Sequence, residues 1–133
     1  MNPIRKKIES KKWLMYFTAT EYNGTIDAII VDNNGRAITV WMDEEPIIND
    51  GKYLLKYQKL DGEKDGITRT RAKYLMIAMG HNDKTVLHFF PTQILSKGIM
   101  FEDWRSIESK KMDGKYFEIP IEWMQKIRGA KKL

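Results

Sequence analysis

The chain has 133 residues and an apolar fraction of 42%, which fits one globular domain. It contains no cysteine, which excludes disulfides, cysteine-bound zinc and a thiol nucleophile. Its net charge of +5 lies at the ends, because residues 1–12 and 126–133 each carry +4 while the remainder sums to −3. We therefore expect a single soluble, cytoplasmic domain over residues 1–133, with basic ends and no membrane-spanning segment.

The first two thirds of the chain consist mostly of short strand-forming runs separated by turn residues. A helix is predicted over residues 3–10, because Ile4 and Ile8 are one helical turn apart. The predicted strands then cover residues 13–20, 26–31, 36–42, 53–57, 72–79 and 85–90. The turn Asn33-Asn34-Gly35 between two of these strands is typical of a β-hairpin.

The last third of the chain combines short helices with one strand. Residues 91–95 fit the first turn of a short helix, and residues 96–115 are expected to be polar and irregular, with Phe101 and Trp104 as hydrophobic anchors. A strand over residues 116–120 then leads into a helix over 121–128. The pattern as a whole predicts an α+β domain in which one mixed β-sheet is flanked by short N- and C-terminal helices.

The most distinctive pattern is a glycine turn that precedes the apolar run over residues 72–79. The positions that define this turn and its continuation are Gly66, Ile67, Thr70, Arg71, Ala72, Tyr74, Pro91 and Leu95, followed by the segment 114–120. In type and order they resemble a group of small PD-(D/E)XK nuclease-like proteins of bacteria and phages. The resemblance covers the chain from about residue 22 to residue 123, and it implies a restriction-endonuclease-like fold in a phage-type protein.

The resemblance also implies where catalytic residues would lie. In that family an acid on one strand and a Glu-x-Lys pair on the next strand hold Mg²⁺ and position the nucleophile. Asp27 matches the first acid and Asp43 a further acid, but Thr39 and Trp41 stand at the Glu and Lys positions. We therefore expect a catalytically inactive protein in which Asp27 and Asp43 are remnants and no metal or cofactor is needed.

Two alternatives for these positions stay open. An active Mg²⁺-dependent endonuclease would use a displaced acid set such as Asp27, Asp43 and Glu45, with Glu9 or Glu21 as substitutes. Alternatively the hairpin is an ordinary one, and Thr39 and Trp41 occupy it because threonine and tryptophan favour β-strands.

Basic residues in two parts of the chain predict contacts with phosphates. Arg69, Arg71 and Lys73 share one face if their segment is extended, which suits binding to the backbone of DNA or RNA. The alternative is a solvated edge that discourages pairing between sheets. The N-terminal cations that would add to nucleic-acid binding are Lys6, Lys7, Lys11 and Lys12.

A protein partner is a third expectation. The acidic segments Asp43-Glu44-Glu45 and Glu102-Asp103 offer a charged surface for a small phage-type inhibitor or regulator that acts by protein–protein contact.

The remaining candidates carry weaker signals. The aromatic residues that suit either base stacking or a core are Trp13, Tyr16, Phe17 and Trp41, with the core favoured. His81 and His88 are predicted to be a turn residue and a half-buried strand residue instead of a zinc pair.

Overall fold

The computed structural model describes residues 3–18, 22, 24–80 and 84–133. Within these ranges the helices are α1 (Pro3–Ser10), α2 (Thr92–Phe101) and α3 (Ile121–Gln125), with a 3-10 turn at Gly66–Thr68. The strands are β1 (Leu14–Phe17), β2 (Ala28–Val31), β3 (Ala37–Asp43), β4 (Ile48–Asn49), β5 (Lys52–Gln58), β6 (Tyr74–Met79), β7 (Val86–Pro91), β8 (Ser106–Ser109), β9 (Gly114–Pro120) and β10 (Lys131–Lys132). Among the described helices, none combines the length and the apolar character needed to cross a membrane.

The strands form two sheets. The first sheet has the order β1-β2-β3-β6-β7-β10 and is mixed, because β3 and β6 run parallel while the other neighbours are antiparallel. The second sheet has the order β4-β5-β9-β8 and is antiparallel. The expected single α+β domain with a mixed sheet and short helices is confirmed, although the strands divide between two sheets where one was expected.

Each face of the first sheet contributes to a different hydrophobic core. On one face, Ile4 and Ile8 of α1 pack against alternate residues of β1, β2, β3, β6 and β7, such as Ile30. On the other face, residues such as Leu75 pack against the second sheet and against α2 and α3. Strand β6 contributes to both cores, which explains why its sequence is a continuous apolar run without alternation.

The largest departures from the predicted elements lie after Pro91. Helix α2 continues to Phe101, and Gly98 within it lies so close to the Trp123 ring of α3 that an added Cβ would be 2.4 Å away. The prediction that Phe101 is an anchor is wrong, because its side chain is 86% exposed. Trp104 does pack inside, edge-on to Trp123 with ring centroids 5.4 Å apart. Packing between α2 and α3 is a tertiary effect that local sequence does not report.

Candidate functional site

The turn at Gly66–Thr68 is held by Asp65, which caps it. The Asp65 carboxylate accepts the Gly66 N–H at 2.8 Å, and Thr68 Oγ1 accepts the Asp65 N–H at 3.1 Å. Lys56 Nζ lies 3.0 Å from the same carboxylate. Burial alone would raise the pKa of Asp65, but the hydrogen bonds from Lys56 and Gly66, with the charges of Lys56 and Lys59, lower it overall. The turn is therefore tied to β5 by a charged pair.

Position 66 requires glycine. Its φ is +54°, and a Cβ added there would lie 2.1 Å from the Lys56 carbonyl oxygen. Both the left-handed backbone and the close approach of β5 exclude a side chain. The glycine of the turn is therefore explained by the packing of the turn against β5.

The segment after this turn is fixed by hydrogen bonds to neutral groups. The Arg71 N–H donates to the Thr25 carbonyl at 3.0 Å, and the Thr70 hydroxyl donates to the same carbonyl at 3.2 Å. The Lys73 N–H donates to Thr39 Oγ1 at 2.9 Å. Thr39, which stands where the nuclease resemblance expects a glutamate, thus holds the backbone of Lys73.

The start of α2 is bonded to the same segment. The Thr92 N–H donates to the Lys73 carbonyl at 2.9 Å, and the Thr92 hydroxyl donates to the Ala72 carbonyl at 2.6 Å. Pro91 occupies the N-cap position and provides no side-chain cap. The positive end of the α2 dipole is therefore held beside Arg71 and Lys73.

Together these elements line a concavity of about 700 Å³, which we call the basic groove. Its lining residues are Ile67, Thr70, Arg71, Ala72, Lys73, Tyr74, Pro91, Thr92, Gln93, Ile94, Ser96 and Lys97. Arg71, Lys73 and Lys97 are exposed, and none of the lining residues is acidic. Within the described part of the chain, these three cations form no ion pair with a carboxylate. The groove is therefore electropositive and open to an anionic ligand.

The other predicted phosphate-binding residues lie outside the basic groove. Arg69 is turned away, and its guanidinium lies near Gly24, where an added Cβ would be 3.5 Å from Nη1. The N-terminal cations Lys6, Lys7, Lys11 and Lys12 belong to α1 and the turn that follows it, and they do not line the groove. The structure thus brings together Arg71 and Lys73 and adds Lys97, which no pattern in the sequence had indicated.

Asp27 lies just before β2, where its side chain holds the adjoining strand. Its Oδ2 accepts the Met42 N–H at 2.7 Å. The β2–β3 pairing ends at Ala28 and Val40, so beyond that end the carboxylate takes the place of a backbone carbonyl as acceptor. Burial raises the pKa of Asp27, the Met42 hydrogen bond opposes that shift, and the nearby Glu44 charge adds to it. Asp27 therefore has a structural partner in β3.

Asp43 ends β3 and binds the second sheet. Its Oδ2 accepts the hydroxyl proton of Tyr53, a fully buried β5 residue, at 2.6 Å. Burial raises the pKa of Asp43, while the hydrogen bonds from Tyr53 and from the Glu45 N–H oppose the shift. The pKa of the Tyr53 hydroxyl is raised well above its ordinary value, first by burial and then by Asp43. This pair links the two sheets.

Among the described residues, no other acid assembles with Asp27 and Asp43 into a metal site. Across residues 3–18, 22, 24–80 and 84–133, no three His, Cys, Asp or Glu side chains form a group that could hold a metal ion. Glu9 lies 4.0 Å from Arg5 on α1, and Glu21 falls outside the described residues.

Of three other sequence candidates, two take structural positions and one cannot be placed. Trp41 packs in the core between the sheets. His88 is buried in β7, where burial and then the Lys132 charge lower its pKa. His81 falls outside the described residues.

A second concavity, of about 620 Å³, lies at the far end of β6, and we call it the acidic groove. Its lining residues are Glu44, Glu45, Pro46, Ile48, Ala78, Met79 and Gly80. Both glutamates are exposed. The acidic segment that the sequence offers for a protein partner therefore lies beside a surface depression.

Comparison of the chain with known proteins adds no assignment to this geometry. No family model, no curated protein and no solved structure matches it.

Proposed function

We propose that this protein binds nucleic acid by holding its phosphates in the basic groove, and that it does not cleave the bound strand. The observation that carries the proposal is the convergence of Arg71, Lys73 and Lys97 on one open groove with no acidic lining residue. Phosphate contacts of this kind supply most of the affinity of nonspecific nucleic-acid binding.

Three features of the groove favour phosphate over other anions. Its cations come from two separate elements, so they can contact successive phosphates instead of a single small ion. The α2 N-terminus adds backbone N–H groups and a positive dipole. The hydrogen bonds of Thr39 and Thr92 to the Lys73 backbone fix the spacing of these groups before any ligand binds.

The roles of Asp27 and Asp43 support the proposal that the bound strand is not cleaved. Each carboxylate accepts a short hydrogen bond that joins elements of the fold, one from the Met42 N–H and one from the Tyr53 hydroxyl. These hydrogen bonds already occupy one oxygen of each carboxylate. The alternative endonuclease with Asp27, Asp43 and Glu45 gains no support, since these acids do not form a ligand group in the described part of the chain.

A protein partner at the acidic groove is the second candidate function. Exposed Glu44 and Glu45 beside a depression of about 620 Å³ favour a basic segment of another protein. Replacement of both glutamates by glutamine would abolish such an interaction and leave nucleic-acid binding unchanged, as measured by pull-down with a defined partner and by anisotropy.

The proposed function is tested by fluorescence anisotropy with labelled oligonucleotides over a range of salt concentrations. The Arg71→Ala/Lys73→Ala variant should lose at least about tenfold in affinity. For binding to a single strand, the slope of log K against log salt should become shallower by about 1.4. The matched control is Lys110→Ala/Lys111→Ala, which removes the same charge from exposed residues of the β8–β9 turn.

Two outcomes would overturn the proposal. One is the absence of binding to any oligonucleotide at low salt. The other is an equal loss of affinity in the groove variant and in the control, because the effect would then come from net charge alone.

A further inference from the structure

The face of the first sheet opposite α1 carries an uninterrupted row of side chains across β1, β2 and β3. Tyr16 pairs directly with Ile29, and Ile29 pairs with Thr39. Residues that are directly opposite in antiparallel strands project from the same face. Tyr16, Ile29 and Thr39 therefore form one row.

This face is open at the β1 edge. On the opposite face α1 covers residues such as Met15, which is fully buried. On the open face Tyr16 is 55% exposed, and Leu14, in the next row, is 54% exposed. The second sheet packs farther along the first sheet, against residues of β6 and β7 such as Leu75. An aromatic side chain thus lies on a sheet face that is accessible to a ligand.

The row leads directly into the basic groove. Thr39 Oγ1 accepts the Lys73 N–H at 2.9 Å, and Lys73 lines the groove. From Tyr16 to Lys73 the row crosses three inter-strand spacings, which amount to about 14 Å. A ligand that occupies the groove can therefore extend along the row to Tyr16.

Tyr16 is distinguished from the other aromatic candidates by its surroundings. The Phe17 ring projects on the α1 side of the sheet and has the Arg5 guanidinium 5.0 Å from its centroid. Trp13 packs against the core under α1, and Trp41 packs between the sheets. Trp41 projects from the same face as Tyr16 but is packed between the sheets, so Tyr16 is the one of these candidates with an exposed ring on the face that leads to the basic groove.

We infer that the nucleic acid bound in the basic groove is single-stranded, with one of its bases stacked on Tyr16. The inference rests on the proposed function, because the groove must first hold the phosphates. Cations that follow the backbone, joined to an exposed aromatic platform, form the usual arrangement for single strands, whose base faces are accessible. In a duplex the base faces are covered by their neighbours, so Tyr16 would contribute nothing. Charge complementarity with Arg71, Lys73 and Lys97 selects an anionic ligand over an apolar one.

The test compares oligonucleotides of one sequence as a single strand, as a duplex and as a single strand with abasic sites. Wild-type protein should bind the normal single strand most tightly. Tyr16→Ala should weaken that binding about 5- to 150-fold, because base–aromatic stacking contributes about 1–3 kcal/mol. Its salt slope should not change, since no phosphate contact is lost.

Matched variants separate stacking from damage to the fold. Tyr16→Trp should keep the affinity of the wild type, because tryptophan also offers a ring for stacking. Phe101→Ala, which removes an aromatic residue that is 86% exposed on α2, should have no effect. Thermal unfolding of each variant checks that the sheet remains intact.

The outcomes distinguish this inference from the proposed function. Equal affinity for the single strand and the duplex, or unchanged affinity in Tyr16→Ala, would overturn the inference while salt-dependent binding in the groove persisted. An equal affinity of wild-type protein for normal and abasic strands would also overturn it. Failure of both the single strand and the duplex to bind at low salt would overturn the inference and the proposed function together.

Discussion

The β6–β7 hairpin has a groove of opposite charge at each end, and the two ends use their charged residues differently. At the start of β6 the basic groove is held by neutral hydrogen bonds, such as that from the Lys73 N–H to Thr39. At its far end, near the acidic groove, Asp43 is bonded to Tyr53. The fold thus uses the Asp43 carboxylate to connect its two sheets and leaves the three cations of the basic groove exposed to solvent. A charged residue in the sequence therefore indicates a ligand site only where its side chain is not already bonded within the fold.

The largest expected effect tests whether the packing of the glycine turn shapes the basic groove. Gly66→Ala should destabilise the protein by about 3 kcal/mol, because it combines a left-handed φ with a contact of the new Cβ against the Lys56 carbonyl. Gly51→Ala is the matched control, since it has a φ of +71° and no neighbour within 4 Å, and it should lose about 1 kcal/mol. Urea unfolding measures both. Equal losses would show that the approach of β5 does not constrain the turn.

A smaller effect tests the charged pair beneath that turn. Asp65→Asn should destabilise the protein by about 1 kcal/mol at pH 7, because it removes the charge that Lys56 binds. The pKa of Asp65 is lowered in the folded state, so its contribution is present above the ordinary value of 3.8 and is lost as the pH falls through the folded pKa. The difference between variant and wild type should therefore vanish in acid. A difference that does not depend on pH would contradict this account of Asp65.

The smallest expected effect is a gain in stability, and it concerns Asp43 near the acidic groove. The pKa of Asp43 is raised by burial, so the folded state disfavours its ionised form and loses stability as the pH rises from the ordinary value of 3.8 through the folded pKa. Asp43→Asn keeps an oxygen acceptor for Tyr53 and should stabilise the protein by about 0.5 kcal/mol at pH 7, with the gain shrinking toward acid pH. Chemical denaturation at a series of pH values measures it. An Asp43→Asn variant that is less stable than the wild type, by an amount that grows with pH, would contradict the assigned burial.

Local sequence was sufficient for the parts of the fold that local physics determines. The spacing of Ile4 and Ile8 located α1, and Asn33-Asn34-Gly35 located the β2–β3 turn. The start of α2 followed from Pro91, because proline is typical of the first turn of a helix, and Pro91 is the N-cap residue of α2. In each case the signal lies within one turn of helix or one hairpin.

The missed parts depend on distant partners. Strand β10 consists of Lys131 and Lys132, and it exists because it pairs with β7, a contact that no apolar periodicity indicates. The division into two sheets likewise depends on which strands pair over long distances in sequence.

The candidate site shows the same limit. Arg71 and Lys73 were selected from their alternation, but the position of Lys97 beside them depends on how Thr92 docks α2 onto the Ala72–Lys73 backbone. The sequence could not exclude Arg69 either, since its orientation toward Gly24 depends on a loop remote in sequence.

Lys97 therefore provides the most direct test of the basic groove, because the three-dimensional structure alone places it there. The measurement is the salt dependence of single-strand binding by Lys97→Ala, with Lys111→Ala as the control of equal charge. The account predicts that the slope of log K against log salt falls by about 0.7 in Lys97→Ala and not in the control. An unchanged slope in Lys97→Ala, or the same decrease in both variants, would contradict phosphate binding in the basic groove.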